Sequence, residues 1–127
     1  MAQDFHFLLL PGFSAMGFIS AIEPLRVANR FRGELYRWQV LSLDGGAVLA
    51  SNGMSVNADG ALGSLAKGTT LLVVAGFEPL ATFDGALRDW LRRLDREGVT
   101  LGGIDTGSFV LAEAGLLERH RVALHWE

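Results

Sequence analysis

The sequence predicts one α/β domain, a three-layer sandwich with helices on both faces of a mostly parallel sheet. Three observations carry this. Short apolar runs alternate with longer stretches of helical spacing, the pattern of successive strand and helix units. The run Thr69–Val74 is uninterrupted, as in a strand covered on both faces, and Val99–Ile104 reads as another buried strand. Three runs end in glycine-bearing turns: Pro11-Gly12-Phe13, Ala75-Gly76-Phe77-Glu78 and Gly103-Ile104-Asp105-Thr106-Gly107.

Taken in order, Phe5–Leu10 is aromatic and apolar and stops at Pro11-Gly12, so it reads as a buried strand entering a turn. Ser14 to Arg30 has helical spacing, with Phe18, Ile22, Leu25 and Asn29 on one side. Pro24 interrupts it and predicts a kink or a restart after Ser20, and Ser20-Ala21-Ile22-Glu23 has the form of a capping box. Tyr36–Leu43 is a second strand, turned by Asp44-Gly45-Gly46. The β-type runs Val48–Ala50 and Met54–Asn57 flank Ser51-Asn52-Gly53, a hairpin signal. After the Thr69–Val74 strand, Asp84 caps a helix running to Glu97, with Leu87, Leu91 and Leu94 as its stripe and Gly98 as its stop. Val99–Ile104 is the next strand, and Gly107–Ala114 is a short helix stopped by Gly115. Val122-Ala123-Leu124 begins a last strand.

Length and composition narrow the function. The 127 residues support one core, and 50% hydrophobic content excludes a disordered chain. A net charge of −3 argues against a free-standing nucleic-acid module, whose footprint is basic. Arg88, Arg92, Arg93 and Arg96 stand among Asp89, Asp95 and Glu97, which reads as a solvated helix face with an Asp89–Arg93 pair. With no cysteine there is no disulfide, no thiolate nucleophile and no cysteine-based zinc site. No apolar run approaches the roughly 20 residues of a membrane span, and Met1–Asp4 carries no basic residue, so no secretory signal is expected. The expectation is a cytoplasmic domain.

Ligands in such sheets bind at the carboxyl ends of strands. Gly103-Ile104-Asp105-Thr106-Gly107 has the Gly-x-Nuc-x-Gly form of a nucleophile elbow between a strand and a helix, with Asp105 at its centre. Asp105 is thus a candidate pocket carboxylate or the N-cap of the helix behind it.

Several segments together resemble one family. They are Leu9-Leu10-Pro11-Gly12-Phe13-Ser14, Glu23-Pro24-Leu25-Arg26-Val27-Ala28-Asn29, Gly103 to Phe109, Leu111 to Leu117, and His125-Trp126. They resemble the N-terminal domain of AraC-type transcriptional regulators, built on the flavodoxin-like DJ-1/PfpI (class I amidotransferase-like) fold. The likeness spans about Phe5 to Glu127 and is greatest to regulators of carnitine and glycine betaine catabolism. It implies an effector-binding domain over residues 1–127, shortened relative to the family, with a DNA-binding double helix-turn-helix that this chain lacks. In enzymes of the wider superfamily the elbow residue is a catalytic cysteine, with its base at the position of His125. Asp105 in its place implies a domain retired from catalysis and reused to sense a metabolite, with no cofactor. The rival is a hydrolase in which Asp105 attacks and His125 activates water. A scaffold with an empty pocket is a third reading.

The resemblance implies a quaternary amine or amino-acid-like effector. The candidate ligand residues are then Asp105 and Thr106 at the elbow, Gly76 and Phe77 after the Thr69–Val74 strand, Phe13 after the first strand, Glu23 on the first helix, and His125 and Trp126. Phe13, Phe77 and Trp126 would supply aromatic faces for a cation. Each has a bland alternative: Phe13 as core, Glu23 as a helix-start acid, His125 as a strand histidine. His6 reads as core or edge, and His120 as solvated. A homodimer is expected, through apolar surface beside Val122–Leu124 or the exposed side of Leu87–Leu94.

Overall fold

The computed structural model describes residues 2–116. Four parallel strands form the central sheet: β1 (Gln3–Leu9), β2 (Tyr36–Leu41), β5 (Thr70–Ala75) and β6 (Thr100–Asp105), in the order β2-β1-β5-β6. A two-stranded antiparallel hairpin, β3 (Val48–Leu49) and β4 (Ser55–Val56), stands apart from it. Three helices complete the fold: α1 (Ala15–Arg32), α2 (Gly85–Arg96) and α3 (Gly107–Glu113).

The alternation of side chains along each strand divides the core in two. Leu8, Leu71, Val73, Ala75 and Leu101 pack under α2 and α3, against Leu87, Leu91, Leu94, Val110 and Leu111. Phe7, Leu9, Val40 and Val74 pack on the opposite face under Phe18 of α1, with Val48 and Ala50 of the hairpin segment beside them. These are the three layers the alternation predicted. The chain crosses from β1 through α1 to β2 on one side, whereas β5 pairs on the other side of β1. The carboxyl ends of β1 and β5 therefore form the switch point at which such sheets open a crevice.

Of the two outcomes expected at Pro24, the restart after Ser20 does not occur. Helix α1 runs unbroken through Pro24, and Ser14 is its N-cap, accepting a 3.0 Å hydrogen bond from Gly17 N–H. No capping box forms at Ser20. The carbonyl that loses a partner to Pro24 belongs to Ser20, an exposed residue, so the group is not orphaned in the core. Strand β2 ends at Leu41, two residues early, because Ser42 and Asp44 bond the turn: Ser42 Oγ donates to Gly46 O, and Asp44 Oδ1 accepts from Gly46 N. The hairpin turns as expected, with Asn52 Oδ1 accepting from Met54 N at 3.0 Å.

Helix α2 begins at Asp84, whose side chain accepts from Leu87 N at 2.8 Å. Its stripe is wider than the leucines, since Trp90 is also buried and donates from Nε1 to Gly63 O at 2.9 Å. Those leucines and Trp90 are in the core, and the remaining side of the helix is polar and charged. Its charged face also differs from the expected Asp89–Arg93 pair. Asp89 pairs with Arg88, and Arg92 Nε donates to Ala114 O at 2.7 Å, closing the end of α3. The last strand expected at Val122–Leu124 lies outside the described residues, as does His120. Among the described residues no helix is long and apolar enough to cross a membrane, and no group of three His, Asp or Glu side chains is placed to hold a metal.

Candidate functional site

Glycine builds the site by letting three chain segments come closer than a Cβ permits. A Cβ on Gly107 would overlap the carbonyl of Val73 in β5, and one on Gly103 would overlap the Gly107–Ser108 peptide. Strand β6 and helix α3 therefore meet in a turn that only glycine at both flanks can make. The residue between them shows the consequence. Asp105 has φ 57°, the only positive value outside glycine among the described residues. An aspartate in the left-handed region costs of the order of 1 kcal/mol relative to ordinary backbone. The elbow read from the sequence is thus a real, mildly strained feature.

Asp105 is the last residue of β6 and half-buried, and the cap position of α3 falls to Thr106. The N-cap alternative for Asp105 is therefore not how the helix starts. Thr106 makes no side-chain capping bond; its hydroxyl donates instead to Gly76 O. That bond ties the elbow to the loop after β5. The same loop meets the end of β1, since a Cβ on Gly76 would overlap Gly12 O. Leu10 N donates to Val74 O and Ser14 N to Ala75 O, completing the junction.

The other candidates divide. Gly76 and Thr106 are at the elbow, held together as described. Phe13 is completely buried, packed edge-on to Phe18 with ring centroids 6.1 Å apart, so it has no face to offer a ligand. Phe77 is the opposite, 97% exposed. The two rings do not form a cage: one follows a strand into the core, and the other projects from a loop. Glu23 lies mid-helix on α1, in a two-point pair with Arg26 at 2.9 Å, and these hydrogen bonds hold its carboxyl below the usual range. It is neither a helix-start acid nor an elbow residue. His125 and Trp126 lie outside the described residues.

Three residues the sequence reading passed over flank the elbow. Gly17, in the first turn of α1, is so placed that a Cβ would stand 3.2 Å from Ile104 Cγ2, next to Asp105. Phe109, on α3 one turn beyond Asp105, is 48% exposed. It lines an apolar cavity of about 440 Å³ with Glu78, Pro79, Leu80 and Ala81. Phe109 had a legible signal: it stands four residues after the elbow on a helix, hence on the same side. Deeper in, Ser108 is fully buried, and its hydroxyl has no hydrogen-bond partner among the described residues. Chemically, the elbow offers the carboxylate of Asp105, and the next turn of α3 carries Phe109, whose apolar cavity is also bordered by Glu78.

Comparison with known proteins agrees with this architecture. The chain is 74% identical over 127 residues to the HTH-type transcriptional regulator CdhR of Pseudomonas aeruginosa, covering all of this chain and 38% of that protein. It is 42% identical over 127 residues to the HTH-type transcriptional regulator GlxA of Rhizobium meliloti, covering 98% of this chain and 39% of the relative. The chain thus spans well under half the length of these relatives. A crystal structure of an AraC family transcriptional regulator from Pseudomonas putida superposes with a TM-score of 0.87 at 29% identity, covering 97% of this chain and 66% of that one. Residues 4–127 match the DJ-1/PfpI family throughout, and with the parallel sheet and the strand–helix elbow in place, the chain belongs to the DJ-1/PfpI family.

Proposed function

We propose that this chain is the effector-sensing, non-catalytic domain of an AraC-type transcriptional regulator of the cytoplasm. In this reading it takes a small cationic amine of the carnitine or betaine type at the β6–α3 elbow. DNA contact belongs to a helix-turn-helix domain of the longer regulator. The observation that carries the proposal is Asp105 at φ 57°, a carboxylate on a backbone built to present one side chain, in a chain without cysteine. The regulator relatives support it. A permanent cation leaves water at a steep cost unless it meets a carboxylate or an aromatic face. The elbow supplies the first, and Phe109, one turn further along α3, lines an apolar cavity with Glu78. Binding acts by favouring one arrangement of the regulator over another.

The same elbow favours a second reading, a hydrolase with Asp105 as nucleophile, because strained strand–helix turns present nucleophiles. One experiment separates the two. Carnitine or glycine betaine at a hundredfold excess over Kd stabilises the native state by about 2.7 kcal/mol. That is a rise of roughly 10 °C in the thermal midpoint for a domain of this size. Asp105→Asn removes most of the rise and still folds, because asparagine tolerates the left-handed conformation. Consumption of the ligand, or an ester on Asp105 by intact mass, overturns the sensor reading.

A further inference from the structure

The end of the sheet away from the elbow holds a second cleft. Asp105 pairs with Ala75 and Phe5 with Thr70, so the length of β5, about 17 Å, separates the two ends. At the amino ends of β1 and β2, Asp4 stands opposite Arg37 and His6 opposite Gln39. By the alternation of side chains these residues share the face on which the next pair, Leu8 and Leu41, enters the core under α2 and α3. Two polar rows thus stand where the sheet is otherwise apolar. Segment 64–69 forms the wall over them: Thr69 donates from N and Oγ1 to Ala66 O, and Leu65 packs on the core. The cleft has a volume of about 710 Å³, and Asp4, His6, Glu34, Arg37, Gln39 and Ser64 line it.

The polar groups suit a ligand better than they serve stability. An ion pair as exposed as Asp4–Arg37 adds little to folding. What it does is orient the guanidinium. Asp4 accepts from Nε at 3.0 Å and from Nη2 at 3.4 Å, one edge of the fork, which leaves the Nη1–Nη2 edge for a second carboxylate. His6 Nδ1 is enclosed with no partner among the described residues. An enclosed N–H without an acceptor costs more than an enclosed lone pair, so the proton sits on Nε2, the nitrogen left to donate into the cleft. Gln39 adds an exposed amide, donor and acceptor at once. Glu34 is exposed and makes no ion pair among the described residues. With Asp4 and Arg37 neutralising each other, Glu34 supplies the uncompensated charge of the lining.

We infer that this cleft is a second binding site, for a small zwitterionic amino acid with its carboxylate on the free edge of Arg37 and its ammonium on Glu34. His6 Nε2–H and the Gln39 amide then meet a polar side chain. A simple anion would face the charge of Glu34, and a simple amine would leave the Arg37 edge unused. A zwitterion answers both. The site owes nothing to the elbow, and its occupancy does not depend on what Asp105 binds.

L-Glutamine is the probe, because it carries both charges and a side-chain amide. Titrated into the ¹⁵N-labelled chain, it is expected to shift the amides of residues 4–6, 34–39 and 64–69. Millimolar affinity is expected of so small a ligand in an open cleft. Arg37→Gln and Glu34→Gln are each expected to weaken binding about tenfold. Both positions are exposed, so the fold is retained, which circular dichroism verifies. Glutaramate, which lacks the amino group, and glutamine amide, which lacks the carboxylate, are expected to bind the wild type about tenfold more weakly than glutamine. The proposal fails if no saturable shift occurs at these amides, or if the shifts are confined to residues 103–109. It fails equally if either variant binds as the wild type does, or if the two analogues match glutamine.

Discussion

Replacing Gly107 by alanine sets two physical effects against each other, and the structure decides between them. Gly107 opens α3 with ordinary, non-positive φ, so helix propensity alone favours alanine by about 1 kcal/mol. The added methyl, however, would overlap the carbonyl oxygen and carbon of Val73. Val73 cannot retreat, because β5 is hydrogen-bonded to β1 at Leu8 on one side and to β6 at Gly103 on the other. Overpacking of this kind costs about 1–3 kcal/mol, and a backbone obstacle puts it at the top of the range. The net expectation is a loss of about 2 kcal/mol, a drop of roughly 1 M in urea midpoint for a slope near 2 kcal/mol per M. Gly85→Ala is the internal control. It opens α2, where the nearest neighbour to a Cβ is the far end of Arg88 at 3.4 Å, so propensity acts unopposed and the variant gains about 0.5–1 kcal/mol. Equal stability of the two variants in urea titrations would show that strand and helix do not meet as tightly as described, and the elbow argument would go with it.

Two further outcomes follow from other parts of the chain. His6 has a buried Nδ1 with no hydrogen-bond partner among the described residues, and burial lowers its pKa against a smaller upward pull from Asp4. The folded state then binds a proton less readily than the unfolded one, so stability falls as pH drops below about 6.5 and levels off below the folded pKa. Comparing wild type with His6→Gln in urea at pH 7.5 and 5.5 isolates this slope, and an unchanged difference between the two pH values would refute it. Asn29 joins the end of α1 to β2, donating to Tyr36 O and accepting from Leu35 N and Tyr36 N at 2.8–2.9 Å. Asn29→Ala is expected to cost about 2 kcal/mol, discounting the most exposed bond; a thermal midpoint within 1–2 °C of wild type would contradict that.

Much of this fold was legible because the signals were local. The apolar run at Thr69–Val74, the cap at Asp84 and the Asn-Gly turn each state their element in a few residues, and the close-packed glycines at 103 and 107 announce the elbow. What failed depended on neighbours that a sequence does not show. Pro24 with Ser20-Ala21-Ile22-Glu23 allows a restart, yet the packing of Phe18 and its neighbours on one side and solvent at Ser20 on the other carry one helix through it. Phe13 and Phe77 occupy equivalent positions after strands, and nothing local says that one turns inward and the other outward. The fold around them decides, through the bridge from Phe13 to Ala50 and the pairing of Thr106 with Gly76. Phe109 was missed as a site residue because it follows the Gly103–Gly107 elbow, although it closes the family-like segment from Gly103 to Phe109.

The central claim is that Asp105 reads the charge of a ligand it does not transform. It is tested most directly by titration calorimetry of carnitine against the isostere whose quaternary nitrogen is replaced by carbon. The two differ in charge and hardly in shape. The account predicts at least tenfold tighter binding of the cation by the wild type, which is about 1.4 kcal/mol, loss of that preference in Asp105→Asn, and recovery of the ligand unchanged. Equal affinity for the two compounds in the wild type, or a preference that survives Asp105→Asn, would contradict it.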